Sequence, residues 1–369
     1  MKKSFAGVSL LLILVGFTVI VPADTLWATT PQNTAGEWHT IAFKSDGTLW
    51  PRRGTPVQVV GDNKSVSAGC FYTVALKSDG TLWAWGGNLL GSLGDGTNTN
   101  RNTFLQVRSD NKWASVSAGC FYTVALKSDG TLWAWGYNGD GQLGDGTNTR
   151  TNTPVQIGSD NKWVSAEAGI FHTLALKSDR TLWAWGGNLL GSLGDGTNTD
   201  RNTPVQIGSD NKWVSAEAGI SYTVALKSDG TLWAWGWNSY GQLGDGTNTD
   251  RNTPVQVGSD NTWVSVSAGA WHTIALKSDG TLWAWGYNGE GQLGDGINTR
   301  TNTPVQVGSD NKWVSLSAGG WHTMALKSDG TLWAWGDNGD GQLGDGTNTN
   351  KDFPKRISPM MRIVDFDED

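Results

Sequence analysis

The chain has 369 residues, 37% hydrophobic and only 17% charged, with 51 glycines, 23 tryptophans and a formal net charge of −7. That is too aromatic for a disordered chain and too rich in glycine for a helical one, so short strands joined by tight turns are expected. An acidic chain without a basic stripe also excludes nucleic acid as a partner, because phosphate neutralisation supplies most of that affinity.

Residues 1–23 are expected to form an export signal. Lys2 and Lys3 start it, Phe5 to Val21 is a mostly apolar run, and Val21-Pro22-Ala23 offers a small-residue cleavage site. An uncleaved anchor is the alternative, with the run at the short limit for spanning a bilayer. Loss of the two lysines takes the net charge from −7 to −9. Residues 24–34 read as a linker, no later segment is apolar enough to cross a membrane, and the expected location is secreted or cell-envelope.

From 35 to 369 the chain repeats. An Ala-Gly step ends at Gly36, Gly69, Gly119, Gly169, Gly219, Gly269 and Gly319; the spacing is 50 residues from Gly69 onward but only 33 before it. In the unit 263–312, WVSVSAG predicts an inner strand suited to a crowded axis. WHTIALKSDG predicts a second strand ending in an Asp-Gly hairpin turn, and TLWAWG a third. A long Gly/Asn/Asp/Thr loop then leads to a fourth strand, TPVQVG, expected to begin at its proline. Four-stranded units of this length must stack on neighbours to bury both faces, which predicts an all-β, seven-bladed β-propeller with a truncated first blade. RIVDF, residues 362–366, is expected to close the ring as the inner strand of that blade.

Strand alternation sends Trp83 and Trp85 to one side and Leu82, Ala84 and Gly86 to the other. A bulky face against a small one is what blade stacking requires, so the six Trp-Ala-Trp doublets and Trp113, Trp163, Trp213, Trp263 and Trp313 read as packing. Cys70 and Cys120 fill one slot of successive units, held elsewhere by Ile170, Ile220, Ala270 and Gly320. A small buried apolar side chain is the favoured reading there and a disulfide the alternative.

The stretch SAGGWHTMALKSDGTLWAWGDNGDGQLGDG, residues 317–346, resembles the regulator of chromosome condensation repeat, and the resemblance extends over residues 35–357. It implies a propeller, and together with the expected export signal the chain reads as an exported, bacterial-type member. The founding member of that family is a nuclear exchange factor for a small GTPase that docks on chromatin, which implies guanine-nucleotide exchange as an alternative function. A plant ultraviolet photoreceptor of the family carries a Gly-Trp-Arg-His-Thr motif; residues 269–273 and 319–323 are similar but lack the arginine. A secreted β-lactamase inhibitor is a propeller of the same kind, which implies enzyme inhibition as a further alternative.

No catalytic constellation, cofactor site or metal site is expected. Gly139–Gly144 matches GxGxxG without a helix to follow it. KSDGTL lacks the nucleophilic first aspartate of the phosphatase loop DxDGT, and the Asp-rich GDGTNTD lacks the ligand series of a calcium loop. The histidines His39, His172, His272 and His322 share one slot with Tyr72, Tyr122 and Tyr222, which favours a hydrogen-bonded structural role over a metal ring.

The units differ mainly at one end, where the first-to-second turn and the third-to-fourth loop should meet. Candidate binding residues there are Trp38, His39, Phe71, Tyr72, Leu89, Leu90, Phe121, Tyr122, Tyr137, Phe171, His172, Leu189 and Leu190. The set continues through Tyr222, Trp237, Tyr240, Trp271, His272, Tyr287, Trp321 and His322. The pattern predicts a monomeric, non-enzymatic scaffold that meets a protein partner through an aromatic rim, with cell-surface carbohydrate as the alternative ligand.

Overall fold

Each 50-residue unit folds as a four-stranded antiparallel meander, its apolar alternation interrupted once by the Asp-Gly hairpin and once by the long glycine loop. The computed structural model describes residues 63–357 and, before them, the backbone of the strands Thr34–Ala35, Thr40–Phe43 and Leu49–Pro51. Six units stand in succession as blades 1 to 6, with inner strands beginning at Asn63, Trp113, Trp163, Trp213, Trp263 and Trp313. In blade 2 the strands are Trp113–Ala118, Tyr122–Lys127, Leu132–Gly136 and Thr151–Gln156. The outer strand starts earlier than expected, so Pro154 lies inside it. An outermost strand tolerates the missing N–H because that side has no neighbour to bond.

The expected count of seven blades is corrected to six. The first unit spans 33 residues where the others span 50, and among the described residues its strands Thr34–Ala35, Thr40–Phe43 and Leu49–Pro51 make a three-stranded sheet. The Thr34–Ala35 strand lies beside the inner strands of both blade 1 and blade 6, which places this sheet between the two ends of the array. The C-terminal strand that is described, Lys351–Arg356, is the outer strand of blade 6. The proposed closing segment 362–366 lies outside the described residues, as do the signal 1–23 and most of the linker 24–34. Among the described residues no helix is long and apolar enough to cross a membrane.

Blades lean on one another as the alternation predicts. Val74, Leu76, Leu82 and Ala84 of blade 1 pack against Trp113, Trp133, Trp135 and Ala125 of blade 2, and the next four interfaces repeat this. The doublet divides its labour. Trp135, Trp185, Trp235, Trp285 and Trp335 have no exposed surface, and each such burial contributes on the order of 2–3 kcal/mol. The first tryptophan of each pair is only half-buried.

Each fully buried indole also donates a hydrogen bond backwards, to the loop of the preceding blade. Trp135 Nε1 reaches Ser92 O at 2.8 Å, and the same carbonyl accepts Thr123 Oγ1 at 2.8 Å. Gln142 O accepts Trp185 Nε1 at 3.0 Å and Thr173 Oγ1 at 2.7 Å; Ser192, Gln242 and Gln292 do the same for the blades that follow them. Trp85 follows the truncated unit; it is half-buried and packs edge-on against Phe104, with centroids 4.6 Å apart.

Two glycines separate packing from backbone strain. A Cβ on Gly244 (φ +72°) would lie 2.6 Å from Trp285 Nε1, whereas one on Gly258 (φ +62°) would meet nothing within 4 Å. Gly258→Ala should cost about 1 kcal/mol, the left-handed penalty alone. Gly244→Ala should cost roughly 2–4 kcal/mol, because overpacking adds to that penalty. Thermal melts of the two variants compare them directly; superimposable curves would refute the glycine–indole fit.

Candidate functional site

The two ends of the ring differ in how much of their chemistry is already used. At one end lie the second-to-third turns and the links between blades, joined where Trp163 N donates to Gly130 O at 3.3 Å. Here Lys227 Nζ sits 3.8 Å from the Trp233 ring centroid and 4.6 Å from that of Trp213, and pairs with Asp210 at 2.7 Å. Trp233 Nε1 donates to Thr231 Oγ1 at 2.9 Å, and Thr231 donates in turn to Asp229. The motif KSDGT is thus a clasp for the first tryptophan, which accounts for its sameness in nearly every unit.

At the other end the first-to-second turn is tied to the start of the long loop. Tyr137 N donates to Phe121 O at 3.0 Å, Trp237 N to Ser221 O at 2.9 Å and Tyr287 N to Trp271 O at 2.8 Å. A buried asparagine shapes each loop. Asn138 Oδ1 accepts Leu143 N at 2.9 Å, while its Nδ2 donates to the carbonyls of Thr147 and Thr149. The loop carboxylates are internal braces, as where Asp245 accepts Thr247 Oγ1 and Arg251 Nε, and the segment Gly139–Gly144 is a pair of turns.

Six of the candidate contact residues must be withdrawn from that surface. Tyr72, Tyr122, His172, Tyr222, His272 and His322 are at most 2% exposed, because alternation turns this slot into the blade interface. Tyr122 OH donates to His172 O at 2.7 Å, Tyr222 OH donates to His272 O at 2.6 Å, and Tyr72 OH bonds Tyr122 O. His172 Nε2 meets Thr223 Oγ1 at 2.9 Å, and that hydroxyl donates onward to Ser192 O, which assigns the imidazole hydrogen to Nε2. Tyrosine and histidine are interchangeable here because either can hydrogen-bond the next blade. Trp38 and His39 lie outside the described residues.

The remaining candidates stay at the rim, in two chemically different sectors. Blades 1 to 3 present hydrocarbon: Leu89 is 73% exposed, Leu189 80% and Phe71 58%, with Phe171 also exposed. Phe71 stacks on Phe121 with centroids 5.8 Å apart, while Leu90, Leu190 and Tyr137 are half-buried. Blades 4 to 6 present a continuous cluster of half-buried indoles and phenols. Trp237 meets Tyr240 at 5.4 Å, Tyr240 meets Trp271 at 5.5 Å and Tyr287 at 5.1 Å, and Trp321 meets Trp271 at 4.2 Å and Tyr287 at 5.6 Å.

Sequence reading missed the polar neighbours of this cluster. Glu290 accepts Asn350 Nδ2 at 2.6 Å, and Asp337 accepts Gln342 Nε2 at 2.6 Å directly after its own N–H bonds Trp321 O. Burial pushes the Tyr287 phenol up, with the charge of Glu290 adding to the effect. Arg300 donates to Ser239 O at 3.1 Å and holds its guanidinium 6.0 Å from the Tyr240 ring centroid. Only the position of Glu290, three residues after Tyr287 in a loop that carries Leu90 and Leu190 elsewhere, marked it in advance.

The favoured reading of the cysteines is also overturned. Cys70 and Cys120 form a disulfide, their Cα atoms 4.5 Å apart, because equivalent first-turn positions of adjacent blades converge near the axis.

Residues 51–367 match the RCC1-like domain. The chain belongs to that family. Among solved structures it resembles human WBSCR16, at 21% identity and a TM-score of 0.76 over 84% of each chain. It also resembles Prp20p from Saccharomyces cerevisiae, at 24% identity and a TM-score of 0.71 over 81% of this chain and 77% of that one. These likenesses concern the fold. None of the curated proteins matches the chain. In this RCC1-like propeller the rim loops, set on a rigid interface, form the candidate contact surface.

Two measurements test the site's supports. Burial holds His172 near pKa 4 and His272 near 3, against an ordinary value of 6.5. The folded state therefore refuses protons that the unfolded chain takes up below about 6.5, and stability is lost as pH falls from there toward 4. His272→Tyr, copying the tyrosine of blade 4, should flatten the fall in melting temperature between pH 6.5 and 4. A profile as steep as that of the parent would rule out titration of this slot. Removing the 50-residue crosslink with Cys70→Ser and Cys120→Ser should cost roughly 2–4 kcal/mol in denaturant unfolding. Reductant should lower the parent's midpoint to that of the variant; midpoints that stay apart would speak against the bridge.

Proposed function

We propose that this RCC1-like propeller is an exported, bacterial-type, non-enzymatic scaffold that captures a protein partner through its rim, with the sector on blades 4 to 6 as the main contact. The carrying observation is the cluster of Trp237, Tyr240, Trp271, Tyr287 and Trp321, five rings in mutual contact and all partly open to solvent. Tryptophan and tyrosine are the residues that most often dominate binding energy at protein interfaces. The disulfide supports an oxidising compartment.

A second reading, nucleotide exchange on a small GTPase, draws on the family and on the likeness to Prp20p, whose structure is described with its binding to Gsp1p and histones. Pull-down from native secretions, with Trp271→Ala plus Trp321→Ala set beside Trp285→Ala, tests the main reading. The rim pair should abolish capture and shift the melting temperature by only a few degrees. Trp285→Ala should cost roughly 3–5 kcal/mol and unfold the ring. Undiminished capture by the rim pair would end the rim reading, and accelerated nucleotide release from a co-encoded GTPase would favour the second. A glycan-array positive without a protein partner would redirect it to carbohydrate.

A further inference from the structure

The clasp at the opposite end shows what this fold does with indoles and a carboxylate. In blade 4, Trp213 and Trp233 meet edge to face at 6.3 Å, and the Lys227 ammonium rests on both rings and pairs with Asp210. Blades 2, 3, 5 and 6 repeat the arrangement. The rim of blades 4 to 6 has the same components, edge-to-face indoles beside carboxylates. Trp271 and Trp321 meet at 82°, with Glu290 three residues past Tyr287 and Asp337 next to Trp321. Among the described residues no cation rests on Trp237, Trp271, Tyr287 or Trp321; Arg300 reaches Tyr240 alone, at the cluster's edge.

We infer that this sector binds a basic segment of a partner protein, seating its arginine side chains on Trp237, Trp271, Tyr287 and Trp321 with Glu290 as counter-charge. The inference rests on the rim reading above and names the partner's chemistry. Charge complementarity selects it. The chain is acidic, with a net charge of −7, and the sector's one cation on an aromatic ring is the guanidinium of Arg300. Cations bind best over tryptophan and next over tyrosine, and arginine stacks as well as pairs. The other half of the rim has no tryptophan: Phe71, Leu89, Phe121, Phe171 and Leu189 carry weaker π faces or none, Tyr137 is its one phenol, and the equivalent of Glu290 is leucine in blades 1 and 3 and Asp140 in blade 2.

Isothermal titration of the whole chain with a (Gly-Arg)4 peptide, its citrulline counterpart and chitohexaose tests this. The arginine peptide should bind, and the citrulline peptide, the same shape without the charge, should bind at least about tenfold more weakly. Trp321→Phe, chosen to keep the packing, should weaken binding about threefold or more, and Glu290→Gln should do likewise. Asp229→Asn, at the opposite end, should leave binding unchanged and so exclude an effect of bulk charge. Equal affinity for arginine and citrulline peptides, equal loss with Asp229→Asn, or binding of chitohexaose alone would overturn the inference. The rim reading would survive any of these if pull-down still depended on Trp271 and Trp321, and would fall with it if capture did not.

Discussion

One backbone carbonyl at each of the five interfaces between successive blades sets the geometry of the ring. Ser92, Gln142, Ser192, Gln242 and Gln292 each present an oxygen whose two lone pairs take an indole N–H and a threonine hydroxyl from the next blade. Two donors from different strands converge on one acceptor, so the angle and depth at which blades meet are fixed together. Hydrophobic area alone would let the sheets slide, since it has no direction. The carbonyl is aimed by the loop that Asn138 and its equivalents shape, and that loop also carries the rim. Stability of the ring and placement of the candidate contact surface therefore share one support.

That coupling explains which positions are free to differ. Slot 72 and its equivalents point into the interface and must hydrogen-bond the next blade, which admits only tyrosine or histidine in the described units. Slot 71 is its neighbour in sequence and points the other way. Phenylalanine, serine and tryptophan all appear there, because nothing in the fold depends on them. A rigid ring thus offers a row of unconstrained side chains one residue away from its most constrained ones.

Much of this was legible in the sequence, because repeat length, turn dipeptides and alternation are local properties. Trp83 and its equivalents were read as facing one way, and they do; that the first of each pair is clasped by lysine while the second is buried depends on the neighbouring blade. The blade count failed for a related reason. Whether a 33-residue unit plus a distant terminus completes a sheet is settled by long-range pairing, which periodicity does not encode. Cys70 and Cys120 are 50 residues apart in sequence and 4.5 Å apart at their Cα atoms, a proximity created only by ring geometry. The repeat pattern assigns His172 and His272 a hydrogen-bonding slot, which they fill, but does not show that the slot faces inward, because the turn's handedness decides which of two adjacent residues turns outward.

The same geometry turns scattered substitutions into a surface. Trp271 and Trp321 occupy one slot in adjacent blades, and Tyr240 and Glu290 another; neither pair is close in sequence. Adjacent blades converge at this end, so a change repeated in two neighbouring units doubles a patch instead of making two separate ones. Phe71 and Phe121 do this on one side, beneath which the disulfide joins the same two turns. Trp271 and Trp321 do it on the other side, where no covalent tie restrains the described turns. The hydrocarbon sector is thereby stapled, while the indole sector is held by edge-to-face contacts alone, and this asymmetry sets blades 4 to 6 apart as the proposed contact sector.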